Sequence, residues 1–257
     1  MKLIETHAHI YAKEFKDDID EVIENSRNNF IDKIYMPNID HISIDGMLEL
    51  EHKYPDFCIP MMGLHPCSVK KDFEKELYLV EDWLKKRKFI AIGETGIDLY
   101  WDKKLFSYQQ EAFKIQLALA KQYNIPVIIH CRESFNETIS LVEEMADEGL
   151  TGVFHCFNGS LEDAKRVEKI GFYLGIGGVA TFKNGGLDKV LPDMGLENVI
   201  LETDSPYLSP APHRGKRNEP SYIKFVANKV AELCDKDVEE VASITTHNAS
   251  KLFSLAK

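Results

Sequence analysis

The sequence ETHAHIY, residues 5 to 11, places His7 and His9 one residue apart near the start of the chain. In an extended strand alternate side chains share one face, so both imidazoles would point to the same side. Neutral imidazole is a common metal ligand, and two that converge could hold one ion. Two histidines can equally be ordinary polar residues of a strand, so the rest of the sequence must decide between these interpretations.

More side chains able to bind metal stand at the ends of short apolar runs: His65, Glu94, His130, His155 and Asp204. Each alone could cap a helix or bond to backbone, but their shared placement favours a metal site. Histidine with carboxylate suits zinc, manganese, iron or nickel better than calcium, which prefers oxygen ligands. The ligands exceed the needs of one catalytic zinc, so we predict two divalent ions (zinc, manganese or magnesium) bridged by Glu94.

The elements that would position these side chains are β-strands alternating with amphipathic helices. Helical spacing of apolar residues is found at 73–88 and 105–123, and two further helices are expected at 221–234 and 238–255. Strands are predicted at 2–10, 33–39, 57–65, 89–95, 126–131, 151–157, 172–178 and 198–203.

Eight strands in 257 residues leave about 32 residues for each strand and its helix, close to the roughly 30 residues of one βαβ unit. This spacing predicts an α/β fold, a (β/α)8 TIM barrel, as one domain over residues 1–257. Reactive residues of such barrels lie at the carboxyl ends of the strands. The candidate ligands occupy those positions.

Composition limits the partners and the compartment. The net charge of −11 argues against a broad basic surface that coats long nucleic acid, although a local basic patch remains possible. The five cysteines contain no C-x-x-C pair, which indicates free thiols in a reducing compartment. No apolar stretch reaches 18 residues and no signal peptide is evident, so we expect a cytoplasmic protein without a membrane partner. The oligomeric state is left open, with a monomer preferred.

Eight ordered motifs resemble those of the TatD family of metal-dependent hydrolases, a branch of the amidohydrolase-type barrels, over essentially the whole chain. They are HAH (7–9), GLHP (63–66), GETGID (93–98), IHCRES (129–134), HCFNGS (155–160), ETDSPYL (202–208), RNEP (217–220) and TTHNASKLF (245–253). The resemblance implies a barrel that hydrolyses DNA phosphodiesters, often as an exonuclease.

The resemblance also implies roles for individual residues. One metal would be bound by His7, His9, Glu94 and Asp204, and the second by Glu94, His130 and His155. His65 would lie in the substrate pocket. The sequence departs from the family at Glu5, where Asp is usual, and at Ile10-Tyr11, where Leu-Asp is frequent. Both departures leave the implied ligands intact.

The mechanism we expect is hydrolysis by a hydroxide activated by two divalent metals. Asp204 would orient this nucleophile and take or pass its proton. Arg132 and the cluster Arg214, Lys216 and Arg217 are candidates for binding DNA phosphates. Arg132 could instead pair with a helix carboxylate, and the cluster could be a solvated loop.

Two other functions fit the same residues. A barrel with these ligands could hydrolyse an ester, amide or lactone, including an aminoacyl ester, since the hydroxide chemistry is shared. A metal-stabilised barrel could also act only in binding. A ligand set that includes Asp204 argues against the second, because a structural metal site is closed and needs no base.

Overall fold

The computed structural model describes residues 2–146 and 149–254. Eight short parallel strands alternate with helices, and they are β1 (Leu3–Glu5), β2 (Ile31–Met36), β3 (Cys58–Pro60), β4 (Ile92–Asp98), β5 (Val127–Arg132), β6 (Gly152–Phe154), β7 (Tyr173–Ile176) and β8 (Val199–Leu201).

The α-helices in the described part of the chain are α1 (Ile19–Asn28), α2 (His41–Lys53), α3 (Glu74–Lys86), α4 (Phe106–Tyr123), α5 (Phe135–Met145), α6 (Leu161–Lys169), α7 (Leu191–Met194), α8 (Ile223–Cys234) and α9 (Val238–Phe253). Within residues 2–146 and 149–254, no helix combines the length and apolar character needed to cross a membrane.

Helix starts follow local side-chain chemistry. The Asp40 carboxylate accepts the backbone N–H of Ile42 at the start of α2, at 3.0 Å. The Ser160 hydroxyl accepts the N–H of Asp163 at the start of α6, at 3.2 Å. Such caps satisfy backbone donors that the first turn of a helix leaves free. Asp40 and Ser160 therefore mark the starts of α2 and α6.

Two parallel sheets, β1–β3 and β4–β8, close into one barrel. Met62 pairs with Ile92 beyond β3, and Ala8 pairs with Ser205 beyond β8. The second junction is held by hydrogen bonds from Asp204 N to His7 O at 2.9 Å and from His9 N to Ser205 O at 2.7 Å. The (β/α)8 barrel predicted from the sequence is confirmed.

The strand bounds differ from the predictions. Regular pairing of β1 stops at Glu5, and the predicted remainder to residue 10 continues only as the bridge at Ala8. β4 begins at Ile92 and reaches Asp98, so Glu94 lies inside this strand and Asp98 ends it. The predicted helix 238–255 ends at Phe253, and Leu255 lies outside the described residues.

An apolar cluster fills the barrel beneath the candidate ligands. It takes side chains from all around the barrel, and these are Ile4, Tyr35, Met61, Ala91, Ile128, Val153, Tyr173 and Ile200. Strand alternation places His130 on the face of Ile128 and His155 on the face of Val153. Phe253 of α9 joins this cluster and stacks on Tyr35 with ring centroids 4.2 Å apart. α9 therefore covers one end of the barrel core.

We predict that Phe253→Ala destabilises the fold by about 3 kcal/mol, because it leaves a cavity against Tyr35. Phe253 is only 3% exposed. Urea unfolding followed by circular dichroism measures the change. Ile42→Ala, at a side chain that is 77% exposed, serves as the control and should change stability by less than about 0.5 kcal/mol. Equal unfolding midpoints for the two variants would contradict this role of α9.

Candidate metal centre

The predicted ligands converge at the carboxyl ends of the strands. His7 and His9 follow β1, His65 follows β3, Glu94 lies in β4, His130 in β5, His155 directly follows β6, and Asp204 follows β8. Three overlapping groups could each hold a metal ion: His7 with His155 and Asp204; His7 with His9 and Glu94; His65 with Glu94 and His130. The fold thus brings together all the residues that the sequence singled out as ligands.

Glu94 stands at the centre of this cluster, and its two carboxylate oxygens face different imidazoles. Oε2 lies 3.0 Å from His7 Nε2 and 3.3 Å from His9 Nε2. Oε1 lies 2.8 Å from His130 Nδ1 and 3.1 Å from His155 Nε2. This division separates His7 and His9 from His130 and His155, as the implied sets do, whereas one of the three groups joins His155 to His7 and Asp204.

The ionisation of Glu94 is governed by its surroundings. Burial opposes its charge, but His155, His65 and His7, with the hydrogen bond from His130, hold the pKa of this carboxyl well below its usual range. Burial and the neighbouring charge of His155 lower the pKa of His7 to about 4. His7 is therefore a neutral imidazole at neutral pH, as metal binding requires.

Asp204 lies beside the Oε2 side of the cluster. Its Oδ1 is 3.8 Å from His7 Nε2 and 3.7 Å from His9 Nε2, and its side chain is 14% exposed. Burial raises the pKa of Asp204 to about 6. Asp204 adopts a φ of 59°, a left-handed conformation that Asp tolerates better than most residues. The turn thereby directs a partly accessible carboxylate to the ligands.

Tyr11 fixes the orientation of His9. The Tyr11 hydroxyl donates to Pro37 O at 2.5 Å and lies 2.7 Å from His9 Nδ1. Burial raises the pKa of this hydroxyl well above its usual value, so it keeps its proton. Since that proton goes to Pro37, His9 Nδ1–H must be the donor to the Tyr11 oxygen. With Nδ1 engaged in this bond, Nε2 of His9 is the ring nitrogen that faces Glu94.

Two carboxylates position His130 and His155 in the same way. His130 Nε2 lies 2.9 Å from Asp98 Oδ2, and His155 Nδ1 lies 3.1 Å from Glu202 Oε1. Glu202 Oε1 also accepts the N–H of Cys156 at 2.6 Å. Burial opposes a charge on His155, but Glu94 and Glu202 raise the pKa of this imidazole well above its usual value. Burial likewise opposes a charge on His130, but Asp98 and Glu94 raise its pKa. A metal ion bound in place of the proton that faces Glu94 would leave each ring its hydrogen bond to the outer carboxylate. Such outer partners commonly orient metal-binding histidines.

His65 differs from the other histidines. Its Nδ1 accepts the backbone N–H of Cys67 at 3.0 Å, so the neutral ring carries its proton on Nε2. That nitrogen lies 3.3 Å from Glu94 Oε1 and can donate to it. His65 therefore offers a proton at Nε2, and its contact with substrate stays a prediction.

The donor set fits divalent cations. The buried, ionised carboxylate of Glu94 needs positive charge beside it, and the imidazole nitrogens that face its two oxygens could bind that charge as metal ions. Imidazole and carboxylate together suit zinc, manganese or iron. The arrangement can therefore hold divalent metal and, beside it, the Asp204 carboxylate as a base.

The predicted basic residues have different surroundings. The Arg132 guanidinium lies over the Tyr100 ring, 3.8 Å from its centroid, and no salt bridge joins it to a carboxylate of the described residues. Arg214 lies over Phe182 and donates to Ser209 O at 2.9 Å. Arg217 pairs with Asp18 at 2.6 Å. Arg132 is thus the best placed of the three to meet a phosphate.

Sequence reasoning missed Asp98, Glu202 and the role of Tyr11. Asp98 ends the motif GETGID, and a strand prolonged to its true end would have placed it beside His130. Glu202 lies two residues before Asp204, so alternation beyond β8 could have indicated that both face the site.

Glu5, at a position where Asp is usual in the family, accepts the backbone N–H groups of His7 and Thr203 at 2.9 and 3.0 Å. It thereby joins the two segments that carry His7 and Asp204.

Comparison with known proteins agrees with this geometry. The family model described as TatD related DNase matches residues 4–254. The uncharacterized metal-dependent hydrolase YabD of Bacillus subtilis is 40% identical over 98% of this chain and 99% of its own. The 3′-5′ ssDNA/RNA exonuclease TatD of Edwardsiella piscicida is 30% identical over 95% of this chain and 96% of its own. The crystal structure of YjjV, a TatD homologue from Escherichia coli K12, superposes with a TM-score of 0.92, covering 98% of both chains at 29% identity.

A parallel α/β barrel with buried histidines and carboxylates at its strand ends is the architecture of a metal-dependent hydrolase. The chain belongs to the TatD family of these hydrolases, since the family model spans nearly its whole length. The resemblance predicted from its motifs is confirmed.

We predict that Tyr11→Phe weakens metal binding about 10- to 100-fold, because His9 Nδ1 loses its partner while the ring remains. Competition with a chelating dye measures the zinc affinity. Tyr78→Phe, at a ring that is 69% exposed on α3, is the matched control and should keep the affinity of the unmodified chain. Unchanged affinity in Tyr11→Phe would contradict the orienting role of the hydroxyl.

Proposed function

We propose that this protein is a deoxyribonuclease that hydrolyses phosphodiester bonds from an end of single-stranded DNA, using two divalent ions. The observation that carries this proposal is the Glu94 carboxylate, whose two oxygens face separate sets of imidazoles. His7, His9 and Asp204 would bind one ion on the Oε2 side. His130 and His155 would bind the other on the Oε1 side.

Each set of residues has a separate task in this reaction. The bound ions would lower the pKa of water toward ~7, from ~15.7 in bulk, and neutralise charge on the phosphate. Asp204 would accept the proton of the attacking water on its carboxylate and pass it on. Its pKa of about 6 leaves it largely ionised, and so able to accept a proton, at neutral pH. His65 Nε2–H would donate to a phosphate oxygen.

Support for DNA as the substrate comes from the exonuclease relative and from Arg132. The relative is named for 3′-5′ action on single-stranded DNA and RNA, which favours digestion from the 3′ end here. Arg132 follows His130 by two residues and forms no salt bridge with a carboxylate in the described part of the chain. Arg214 and Arg217 remain proposed contacts for more distant phosphates, and we keep the prediction of a cytoplasmic enzyme.

We predict that Asp204→Asn lowers hydrolysis of single-stranded DNA by at least about 100-fold, because the amide cannot accept the proton of water. The assay uses 3′-end-labelled and 5′-end-labelled DNA with Mg²⁺, Mn²⁺ or Zn²⁺, and a chelator as a further arm. Asp188→Asn, at an exposed position, is the matched control and should keep full activity.

The order in which the two labels are released gives the polarity, and early loss of the 3′ label is the expected result. Full activity of Asp204→Asn would contradict its role as a base. Intact DNA with every metal, in protein that demonstrably binds metal, would exclude the nuclease and direct the search to ester, amide and lactone substrates.

A further inference from the structure

Two exposed aromatic side chains stand beside the metal centre without a partner in the core. Trp101 is 69% exposed and Tyr100 is 48% exposed, and their rings meet edge to face with centroids 4.8 Å apart. Large aromatic rings are usually buried, so exposed ones near a reactive site point to a ligand. Neither residue belongs to the ligand cluster.

This aromatic pair is rigidly connected to the ligands. Asp98 Oδ1 accepts the backbone N–H of Tyr100 at 3.0 Å and of Trp101 at 3.2 Å. The other oxygen of the same carboxylate lies 2.9 Å from His130. One side chain thus fixes both the position of the aromatic rings and the orientation of a candidate metal ligand.

Arg132 completes the group. Its guanidinium lies 3.8 Å from the Tyr100 ring centroid and 5.5 Å from that of Trp101. A cavity of about 660 Å³ runs from Tyr100 and Arg132 to His155, and Phe157 and Asn158 also line it. Cavities of this size commonly receive small ligands. Tyr100 and Arg132 therefore border a space that reaches His155, and Trp101 stands outside its lining, against the Tyr100 ring.

We propose that Trp101, Tyr100 and Arg132 form a stacking subsite for the nucleobase next to the scissile phosphodiester, and that this subsite selects single strands. The proposal rests on the proposed nuclease function. Aromatic faces and guanidinium planes stack on unpaired bases, whereas duplex bases are stacked on each other. The net charge of −11 gives the chain no general attraction to nucleic acid, so contact with a base would add to the local phosphate contacts.

Fluorescence tests this subsite without relying on hydrolysis. The chain has two tryptophans, so Trp83→Phe leaves Trp101 as the remaining tryptophan emitter. In this variant with Asp204→Asn added to prevent turnover, a single-stranded oligothymidylate should quench the emission. An abasic oligonucleotide of equal length and a duplex should not. Equal quenching by the abasic strand would overturn the proposal, and equal quenching by the duplex would overturn its selection of single strands.

Kinetics provide the second test. Trp101→Ala should raise KM for the oligothymidylate about tenfold, leave kcat nearly unchanged, and leave hydrolysis of the abasic strand as in the unmodified chain. Trp101→Phe should restore most of the loss, and Tyr78→Ala, at an equally exposed ring, should have no effect. An equal effect of Trp101→Ala on both strands would overturn the proposal.

The two proposals fail in different ways. Base-dependent quenching by a chain that hydrolyses no DNA would support the subsite and overturn the nuclease function. Hydrolysis without any base-dependent quenching would support the nuclease function and overturn the subsite.

Discussion

The burial of one ionised carboxylate, Glu94, is the constraint on which this site depends. A charge removed from water is stable only where opposite charge or donors compensate it. The barrel meets this requirement by directing imidazoles from four other strand ends toward the same point. Divalent cations bound by these imidazoles would compensate the same charge. The closure of the barrel therefore brings the candidate ligands together.

An outer layer of polar residues gives the ligands their direction. Tyr11, Asp98 and Glu202 each accept a hydrogen bond from one histidine, and the other ring nitrogen of that histidine faces Glu94. Glu202 needs room for this, and Gly175 on β7 provides it, since a Cβ there would lie 2.3 Å from Glu202 Oε2. In this chain a phenol orients His9 at a position where the family frequently has Asp. The departure at residue 11 therefore gives His9 an uncharged hydrogen-bond partner.

The sequence predicted the barrel and the ligand set because both leave periodic signals. Apolar runs at regular spacing indicated the strands, and polar residues at their ends indicated the site. The features that the sequence could not predict depend on contacts between residues that lie far apart in the chain. The regular pairing of β1 ends at Glu5 because the following residues bond to the segment after β8, which lies far away in sequence. The contact of Arg132 with Tyr100 likewise joins residues from adjacent strand ends, and no local pattern reveals it.

The two metal ions bridged by Glu94 form the central claim, and manganese binding tests it most directly. Purified protein should bind two Mn²⁺ per chain and give the electron paramagnetic resonance spectrum of an exchange-coupled pair. Glu94→Gln should abolish the coupling, while Glu81→Gln, at an exposed carboxylate of α3, should preserve it. A single uncoupled Mn²⁺, or a coupled pair that persists in Glu94→Gln, would contradict the account.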